Sequence, residues 1–179
     1  IKNGEGDACT RSLQVAVNVS ARQFRQADFV EQVKRSLKAS GANPARLKLE
    51  LTESVLLKNV EDTIAKMLAI KRLGVAFSLD DFGTGYSSLS YLAQLPLDQL
   101  KIDQSFVRKL PGAQKEETIA RTVMTMGREF AMNVIAEGVE SEAQRQFLEA
   151  HGCHAFQGYL FSRPLPVEHL TVFLQEADR

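Results

Sequence analysis

An adjacent pair of carboxylates, Asp80 and Asp81, is the feature of this sequence best suited to chemistry. The pair ends a run over residues 75–79 in which apolar side chains alternate, the pattern of a short buried strand, and glycines follow as in a loop. Neighbouring acids repel each other unless a cation lies between them, and hard divalent ions such as Mg²⁺ prefer oxygen ligands. The pair therefore indicates a divalent metal site, although a plainer interpretation makes Asp81 a turn residue and leaves Asp80 solvated.

Polar side chains stand where other apolar runs end, and an amphipathic stretch follows each run. Six such strand–helix units predict an α/β fold with a parallel sheet, with the fourth strand over 97–102 and the sixth over 154–156. An open doubly wound sheet is the alternative, but no G-x-G-x-x-G turn follows a strand. The sequence favours a (β/α)8 TIM-like barrel, in which strand ends converge on one site. The polar residues at these ends are Asn18, Glu50, Asp80, Asp81, Lys101, Glu137 and Gln157.

The chain is short for a complete barrel, which typically has roughly 250 residues and rarely fewer than about 200. Its 179 residues offer six units rather than eight, and it begins at Ile1 rather than methionine. We therefore expect one domain over 1–179 that lacks the first two strand–helix units of the barrel, which would precede Ile1.

Composition narrows the class of protein. Lys+Arg and Asp+Glu both number 22, so the net charge is zero, which argues against a basic face that grips DNA or RNA. No apolar run approaches the roughly 18–20 residues of a membrane helix, and no signal peptide is visible, so no membrane contact is expected. The two cysteines, Cys9 and Cys153, make no disulfide framework. A cytoplasmic setting is predicted.

The donor atoms at the strand ends are all oxygens, which suits Mg²⁺, Mn²⁺ or Ca²⁺ better than a structural zinc site. Four carboxylates exceed what one ion needs, and Asp80 can bridge two. Two ions about 3.5–4 Å apart are the usual device for in-line attack on a phosphate ester. Lys101 fits as a compact cation beside the attacking water. Plainer interpretations make Lys101 a surface lysine, Glu137 a helix N-terminal acid and Gln157 a strand cap.

Six motifs in register resemble the EAL-domain cyclic di-GMP phosphodiesterases, from about Val15 to Pro164. They are Val-Asn-Val-Ser at 17–20, Glu-Leu-Thr-Glu-Ser at 50–54, Asp-Asp-Phe-Gly-Thr-Gly-Tyr-Ser-Ser at 80–88, Leu-Lys-Ile-Asp at 100–103, Ala-Glu-Gly-Val-Glu at 136–140 and Gln-Gly-Tyr at 157–159. The resemblance implies a (β/α)8 barrel with an antiparallel first strand. It also implies bacterial signalling through metal-dependent hydrolysis of cyclic di-GMP to linear pGpG.

The resemblance also implies a ligand set for two Mg²⁺ or Mn²⁺ ions. Asn18, Glu50 and Asp80 match the ligands of one ion. Asp80, Asp81 and Glu137 match those of the second. The oxygen-rich set inferred from the strand ends contains the same residues.

Further positions match family residues around the metals. Lys101 matches the residue that orients or activates the attacking water, and Gln157 matches a support for the water and metal shell. Asp103 and Glu140 match acidic positions that line the site. Glu53 matches a residue that holds the loop over 81–88, which in this family couples metal binding to dimer contacts. A homodimer is therefore expected.

One departure from the family pattern concerns the Glu-Ala-Leu segment, whose glutamate is a metal ligand upstream of the Asn18 strand. The only glutamate before Asn18 is Glu5, which lacks the surrounding motif. Losing such a ligand should cost at least the 10–100-fold typical of a supporting residue. Either the parent protein carries this segment before Ile1, or this polypeptide is impaired. Sensory or diguanylate-cyclase-type domains are expected elsewhere in the parent protein.

Guanine contacts are predicted at Tyr159, Phe161 and Pro164, which follow Gln157 and offer flat or rigid apolar surface. Two other functions compete with hydrolysis. A catalytically inactive cyclic di-GMP receptor would replace its metal ligands, whereas here they remain. An enolase-like barrel would need a paired base for a carbon-bound proton, and only Lys101 is suitably placed. The enzyme is the favoured interpretation.

Overall fold

The structure is a computed structural model that describes residue 10 and residues 13–55, 59–83 and 89–177. Positions 84–88 of the predicted loop, Glu5 and Cys9 lie outside the described residues. The six strands are β1 (Val15–Val19), β2 (Leu47–Thr52), β3 (Ala76–Phe82), β4 (Gln99–Ile102), β5 (Asn133–Glu137) and β6 (Ala155–Gln157). The helices are α1 (Ala21–Phe24), α2 (Phe29–Ser40), α3 (Val60–Lys71), α4 (Leu89–Leu92), α5 (Gln104–Val107), α6 (Gln114–Glu129), α7 (Glu142–Ala150) and α8 (Val167–Ala177).

The strands form one parallel sheet in the order β1-β2-β3-β4-β5-β6, so each strand pairs with its neighbour in the sequence. All five pairings are parallel, and the antiparallel first strand implied by the family resemblance is not among the described strands. The α/β class with a parallel sheet is thereby confirmed. Sequential parallel pairing places the carboxyl end of every described strand along one edge, where a barrel assembles its site.

The apolar core lies between the sheet and the helices that connect its strands. Phe77 and Leu79 of β3 are buried, as their alternation predicts, and so is Val75 just before the strand. Leu100 and Ile102 continue this face on β4. Because side chains alternate across a strand, the residues between these positions point to the opposite, interior face of the curled sheet. That interior face carries the polar residues.

The observed bounds of β3, β4 and β6 differ from the predicted bounds by one to three residues, and β3 extends through the acid pair to Phe82. β4 begins at Gln99 rather than at residue 97. Just before it, the Asp98 carboxylate accepts a hydrogen bond from the Phe77 amide (2.8 Å) and pairs with Lys71 (2.6 Å). β6 begins and ends one residue later than predicted, so Gln157 is its last residue. Cys153 is buried before β6.

Capping residues define where several helices begin and end. Ser20 and Gln23 form a capping box at α1, and Ser141 and Gln144 form one at α7. Gly41 ends α2 in the left-handed conformation that glycine adopts without a steric penalty. Within the described ranges, no helix combines the length and the apolar character that crossing a bilayer would require.

Candidate active site

The centre of the candidate site is the ammonium group of Lys101, which lies among three carboxylates. Its Nζ is 2.6 Å from Glu137 Oε1, 2.9 Å from Glu50 Oε2 and 3.1 Å from Asp80 Oδ1. The Lys101 side chain is 5% exposed and the three acids are 11–18% exposed. An ammonium so enclosed is a buried counter-ion rather than the surface lysine of the plainer interpretation.

Four consecutive strands supply this cluster, one residue each: Glu50 from β2, Asp80 from β3, Lys101 from β4 and Glu137 from β5. Sequential pairing brings these strands side by side at their carboxyl ends. A register irregularity between Leu79 and Phe82, where β3 pairs with β4, contains the acid pair. Such bulges turn side chains away from strict alternation, and they often occur beside active sites.

Asp81 has an uncommon backbone conformation for a residue other than glycine, with φ 54°. Its amide donates to Asp80 Oδ1 at 3.0 Å, so the two acids are linked in spite of their like charge. Burial, the neighbouring Asp80 and a hydrogen-bonded contact with Asp103 raise the pKa of Asp81. Asp103 also caps α5 by accepting from the Ser105 amide (2.9 Å) and hydroxyl.

Burial and ion pairing act in opposite directions on the central charges. Burial disfavours the charged ammonium, but its hydrogen bonds to Glu137, Glu50 and Asp80 outweigh burial and raise the pKa of Lys101. Burial raises the pKa of Glu137 even though Lys101 opposes that shift. The acids therefore carry more negative charge than this ammonium neutralises, and Lys101 stays protonated at neutral pH.

A second polar layer, which was not predicted from the sequence, lies beneath the acids. Lys48 Nζ donates to Gln99 Oε1 at 3.0 Å, and Ser78 Oγ donates to the same oxygen at 3.3 Å. Each of these residues stands two positions before a member of the cluster, and therefore on the same strand face. That two-residue spacing is the sequence signal that could have revealed the layer. Burial lowers the pKa of Lys48.

Glu53 follows β2 in a short 3-10 helix (Glu53–Val55) and reaches the turn after the acid pair. Its Oε1 accepts from the Gly83 amide at 2.9 Å, a contact consistent with the loop-holding role that the family resemblance implies. Arg25 holds the same short helix by donating to the Ser54 carbonyl at 2.7 Å. These contacts position the chain immediately after Asp81.

Other predicted residues lie at the same edge of the sheet but form no ion pair with Lys101 in the described part of the chain. Asn18 is in register with Glu50 on β2, from its place on β1. Gln157 is exposed on β6 and is in register with Glu137 on β5. Glu140 is exposed three residues after β5, and its amide donates to Gln144 Oε1 at 2.8 Å.

The three predicted guanine contacts form part of an exposed surface after β6. Tyr159 is 54% exposed and has the Arg163 guanidinium 4.8 Å from its ring centroid. Phe161 is 47% exposed and stacks on Phe156, with ring centroids 6.1 Å apart. Pro164 is exposed as well. This segment offers flat rings to solvent, but no hydrogen bond or ion pair of the described residues joins it to the Lys101 cluster.

The position of Gly158 makes a specific prediction about the loop at 138–140. A Cβ built on Gly158 would lie 2.2 Å from Val139 O and 2.3 Å from Val139 N, which are backbone atoms that cannot rotate away. We expect Gly158→Ala to lower the free energy of unfolding by about 3 kcal/mol, the upper part of the range for overpacked positions. Urea unfolding measures this change.

Gly112→Ala is the matched control, because Gly112 also has positive φ (116°) but no atom of the described residues lies within 4 Å of the point where its Cβ would stand. It therefore adds backbone strain without the steric clash. Equal losses of stability in the two variants would contradict the prediction.

Divalent ions fit this donor set by chemistry and charge. In residues 13–55, 59–83 and 89–177, no three His, Cys, Asp or Glu side chains form a ready-made cation site. The nearest acids instead surround the Lys101 ammonium. Their donors are all oxygens, however, and neighbouring carboxylates add to burial in raising the pKa values of Asp81 and Glu137, so negative charges lie close together here. Hard cations meet both conditions.

Comparison with known proteins agrees with this arrangement. The sequence matches the family model of the EAL domain over residues 2–164. The cyclic di-GMP phosphodiesterase NbdA of Pseudomonas aeruginosa is 45% identical over 163 residues, which cover 91% of this chain and 21% of NbdA. The chain thus spans about a fifth of the length of this curated relative.

Solved structures share the fold. The EAL domain of Mycobacterium smegmatis DcpA superposes with a TM-score of 0.91 at 36% identity, over 98% of this chain and 78% of that one. A manganese and cyclic di-GMP complex of Klebsiella pneumoniae BlrP1 has a TM-score of 0.76 at 32% identity, over 84% of this chain and 39% of that one. The predicted barrel class is confirmed, as a six-stranded part of the barrel. The chain belongs to the EAL domain family.

Proposed function

We propose that this chain hydrolyses cyclic di-GMP to linear pGpG. The observation that carries the proposal is the cluster of Glu50, Asp80 and Glu137 around Lys101, held at the carboxyl ends of four neighbouring strands. Support comes from NbdA, which is named a cyclic di-GMP phosphodiesterase, and from BlrP1, whose structure holds manganese and cyclic di-GMP.

Two divalent ions, Mg²⁺ or Mn²⁺, are proposed as cofactors. Asn18, Glu50 and Asp80 would hold one ion, and Asp80, Asp81 and Glu137 would hold the other. When bound, such ions supply positive charge to a phosphodiester and lower the pKa of an attacking water. A glutamate from an upstream Glu-Ala-Leu segment would complete the set.

The protonation state of a side chain decides whether it can donate a hydrogen bond or accept a proton in the reaction. Lys101 remains an ammonium because its pKa is raised, so it donates hydrogen bonds and does not remove a proton from water. It would orient the water and stabilise negative charge that develops on the phosphate. The proton of the attacking water must therefore pass to another acceptor.

The remaining residues are proposed to place the substrate and support the site. Tyr159, Phe161 and Pro164 would contact guanine through their exposed apolar surfaces. Asp103 and Glu140 would line the site as acidic neighbours. Further roles complete the proposal: Gln157 supports the water and metal shell, and Glu53 holds the turn at Gly83. A homodimer, a cytoplasmic location, and sensory or diguanylate-cyclase-type domains in the parent protein are also proposed.

Chromatography of cyclic di-GMP incubated with the protein and Mg²⁺, with an EDTA control, tests the proposed reaction. The 179-residue chain should be compared with a longer polypeptide that carries an upstream Glu-Ala-Leu segment. We expect EDTA-sensitive pGpG from the longer polypeptide and a yield at least 10–100-fold lower from the chain alone. Bound cyclic di-GMP without any product from either would overturn the proposal in favour of a receptor.

The raised pKa values predict how Mg²⁺ should affect stability at different pH values. An acid whose pKa is higher in the folded protein binds extra protons there, so without metal the free energy of unfolding falls as pH rises through that window. Mg²⁺ competes with those protons. We therefore expect Mg²⁺ to raise the melting temperature by several degrees near pH 8 and by much less near pH 5.

Glu137→Gln provides the comparison for this effect, because it removes one of the two acids with a raised pKa. The difference between the two pH values should shrink in that variant. A Mg²⁺-induced shift of the same size at both pH values in the unaltered protein would contradict the assignment of these acids.

A further inference from the structure

Lys48 is a half-buried lysine on the interior face of the sheet that the proposed reaction does not use. It lies on β2, two residues before Glu50, and its Nζ donates to Gln99 Oε1 on β4 at 3.0 Å. Because β3 lies between β2 and β4, this hydrogen bond passes over a whole strand. Adjacent strands are about 4.7–4.9 Å apart, so β2 and β4 are separated by about 9–10 Å, and two long side chains must close that gap together.

Ser78, on the strand in between, supports the same contact. The residue is fully buried, and its hydroxyl donates to Gln99 Oε1 at 3.3 Å. Ser78 is in register with Glu50 on one side and with Gln99 on the other. A carbonyl oxygen has two lone pairs, so the Gln99 oxygen can accept from both donors. Three neighbouring strands are therefore joined at one atom.

The Lys48–Gln99 contact repeats the geometry of the Lys101–Glu50 ion pair. Lys101 Nζ reaches Glu50 Oε2 at 2.9 Å, again across β3, but from β4 to β2. Lys48 and Gln99 each stand two positions before a residue of this ion pair, so the two contacts join the same strands on the same face, one layer apart. The spacing that the lower contact sets between β2 and β4 is therefore the spacing that the upper ion pair must bridge.

We propose that the Lys48–Gln99 hydrogen bond is a crossbar that positions the Lys101 ammonium among its acids. Both are positioning residues rather than catalytic residues, because they act through the residues two positions further along their strands. Tolerance at the upper layer is small, since a misplacement of about 1 Å can cost roughly 10²-fold in rate. The effect on turnover rests on the proposed hydrolysis of cyclic di-GMP, whereas the effect on the Lys101 geometry does not.

NMR of the lysine ammonium groups in the 179-residue chain tests the proposal without substrate. The Lys101 side chain is 5% exposed and its ammonium contacts three acids, so its protons should exchange slowly enough with water to give a signal. We expect Gln99→Leu to remove this signal, because strands released from the crossbar let water reach the ammonium. This variant removes the acceptor without changing any charge. Lys48→Met removes the donor and should have the same effect.

Two further variants test whether the two residues act as one unit. The double variant Lys48→Met/Gln99→Leu should show no greater loss than either single variant, as expected for partners in one interaction. Gln99→Glu keeps an acceptor for Lys48 and should retain the Lys101 signal. This comparison keeps the proposal testable even if one of the single variants fails to fold.

Turnover provides a second readout in a longer polypeptide that carries an upstream Glu-Ala-Leu segment. Each single variant should lower kcat by about 10–100-fold, the usual effect of changing a residue that supports metal ligands. KM should change little, because the crossbar is not proposed to contact the substrate.

Lys71→Met is the structural control. Lys71 also joins two elements, since it pairs from α3 with Asp98 just before β4 at 2.6 Å, but it does not belong to the interior layer. Its replacement should lower the melting temperature and leave the Lys101 signal and kcat unchanged.

Three results would overturn the proposal. The first is an unaltered protein without a slowly exchanging Lys101 signal, and the second is a normal Lys101 signal in folded Gln99→Leu. The third is a set of losses that multiply in the double variant. Failure of the proposed hydrolysis would give a different pattern: no pGpG from any polypeptide, with the Lys101 signal still lost in both single variants. That pattern would support the crossbar and reject the reaction.

Discussion

Replacing Lys101 with methionine is expected to lower hydrolysis greatly and to destabilise the metal-free protein strongly. The variant keeps most of the side-chain volume but leaves Glu50, Asp80 and Glu137 without the ammonium that contacts all three. Removing one partner from a buried ion pair costs about 3–5 kcal/mol. Loss of a group that stabilises developing charge should lower the turnover of cyclic di-GMP by about 10²–10³-fold.

Adding Mg²⁺ should distinguish the effect of Lys101→Met on stability from its effect on turnover. Divalent ions should restore much of the stability of Lys101→Met, because they also neutralise the acids, but they should not restore turnover, which needs the ammonium itself. Urea unfolding with and without Mg²⁺, together with pGpG formation, measures both quantities.

Lys109→Met is the matched control for Lys101→Met. Lys109 pairs with Glu116 at 2.6 Å, but its side chain is 59% exposed, and such surface pairs contribute only about 0–1 kcal/mol. We expect near-normal stability and turnover in this control. Turnover within a factor of about three of normal in Lys101→Met would remove Lys101 from the proposed mechanism.

Local patterns predicted the fold and most of the strand ends because those features depend on short-range chemistry. Alternating apolar residues identified β3, and its residues Phe77 and Leu79 are buried as expected. Repeated strand–helix units implied parallel pairing, which then aligned Glu50, Asp80 and Glu137 at one edge of the sheet. Their convergence follows from topology alone, without knowledge of any distance.

The partner of each charge could not be predicted in this way, since it depends on side-chain reach across neighbouring strands. The sequence predicts a role for Lys101 beside an attacking water but does not identify its charge partners, which the structure shows to be three acids. The left-handed backbone of Asp81 arises from an irregular β3–β4 register that no local pattern reveals. The second carboxylate oxygen of Glu53, which lacks a partner among the described residues, likewise depends on how the sheet meets α6.

These differences share a physical origin. An alternating pattern determines which face of a strand a residue occupies. The electrostatic state of that residue depends on which side chains of the neighbouring strands reach it. Lys48, Ser78 and Gln99 illustrate the distinction, since their spacing predicts the interior face and only the structure shows them joined at one oxygen. The proposed function therefore depends on contacts between neighbouring strand–helix units, none of which forms the site alone.

Substitutions of the two acids should both lower activity, but they should change the stability of the protein in opposite directions. Asp80→Asn removes a carboxylate proposed to contact both ions, and Asp81→Asn removes its neighbour. Either change should lower turnover by at least the 10–100-fold expected for altering a metal's surroundings. Asparagine is also the appropriate replacement at position 81, because it tolerates the positive φ of 54° better than alanine does.

Stability of the metal-free protein should distinguish the two acids. Asp80 is 3.1 Å from the Lys101 ammonium, so Asp80→Asn loses a favourable contact and should lower the melting temperature. Burial and the charge of Asp80 raise the pKa of Asp81, so Asp81→Asn relieves an unfavourable charge and should raise the melting temperature above neutral pH. The exposed Asp28 provides an Asp28→Asn control that should change neither property. Unchanged turnover in both acid-pair variants would refute the assignment, because the adjacent carboxylates would then have no role in the reaction.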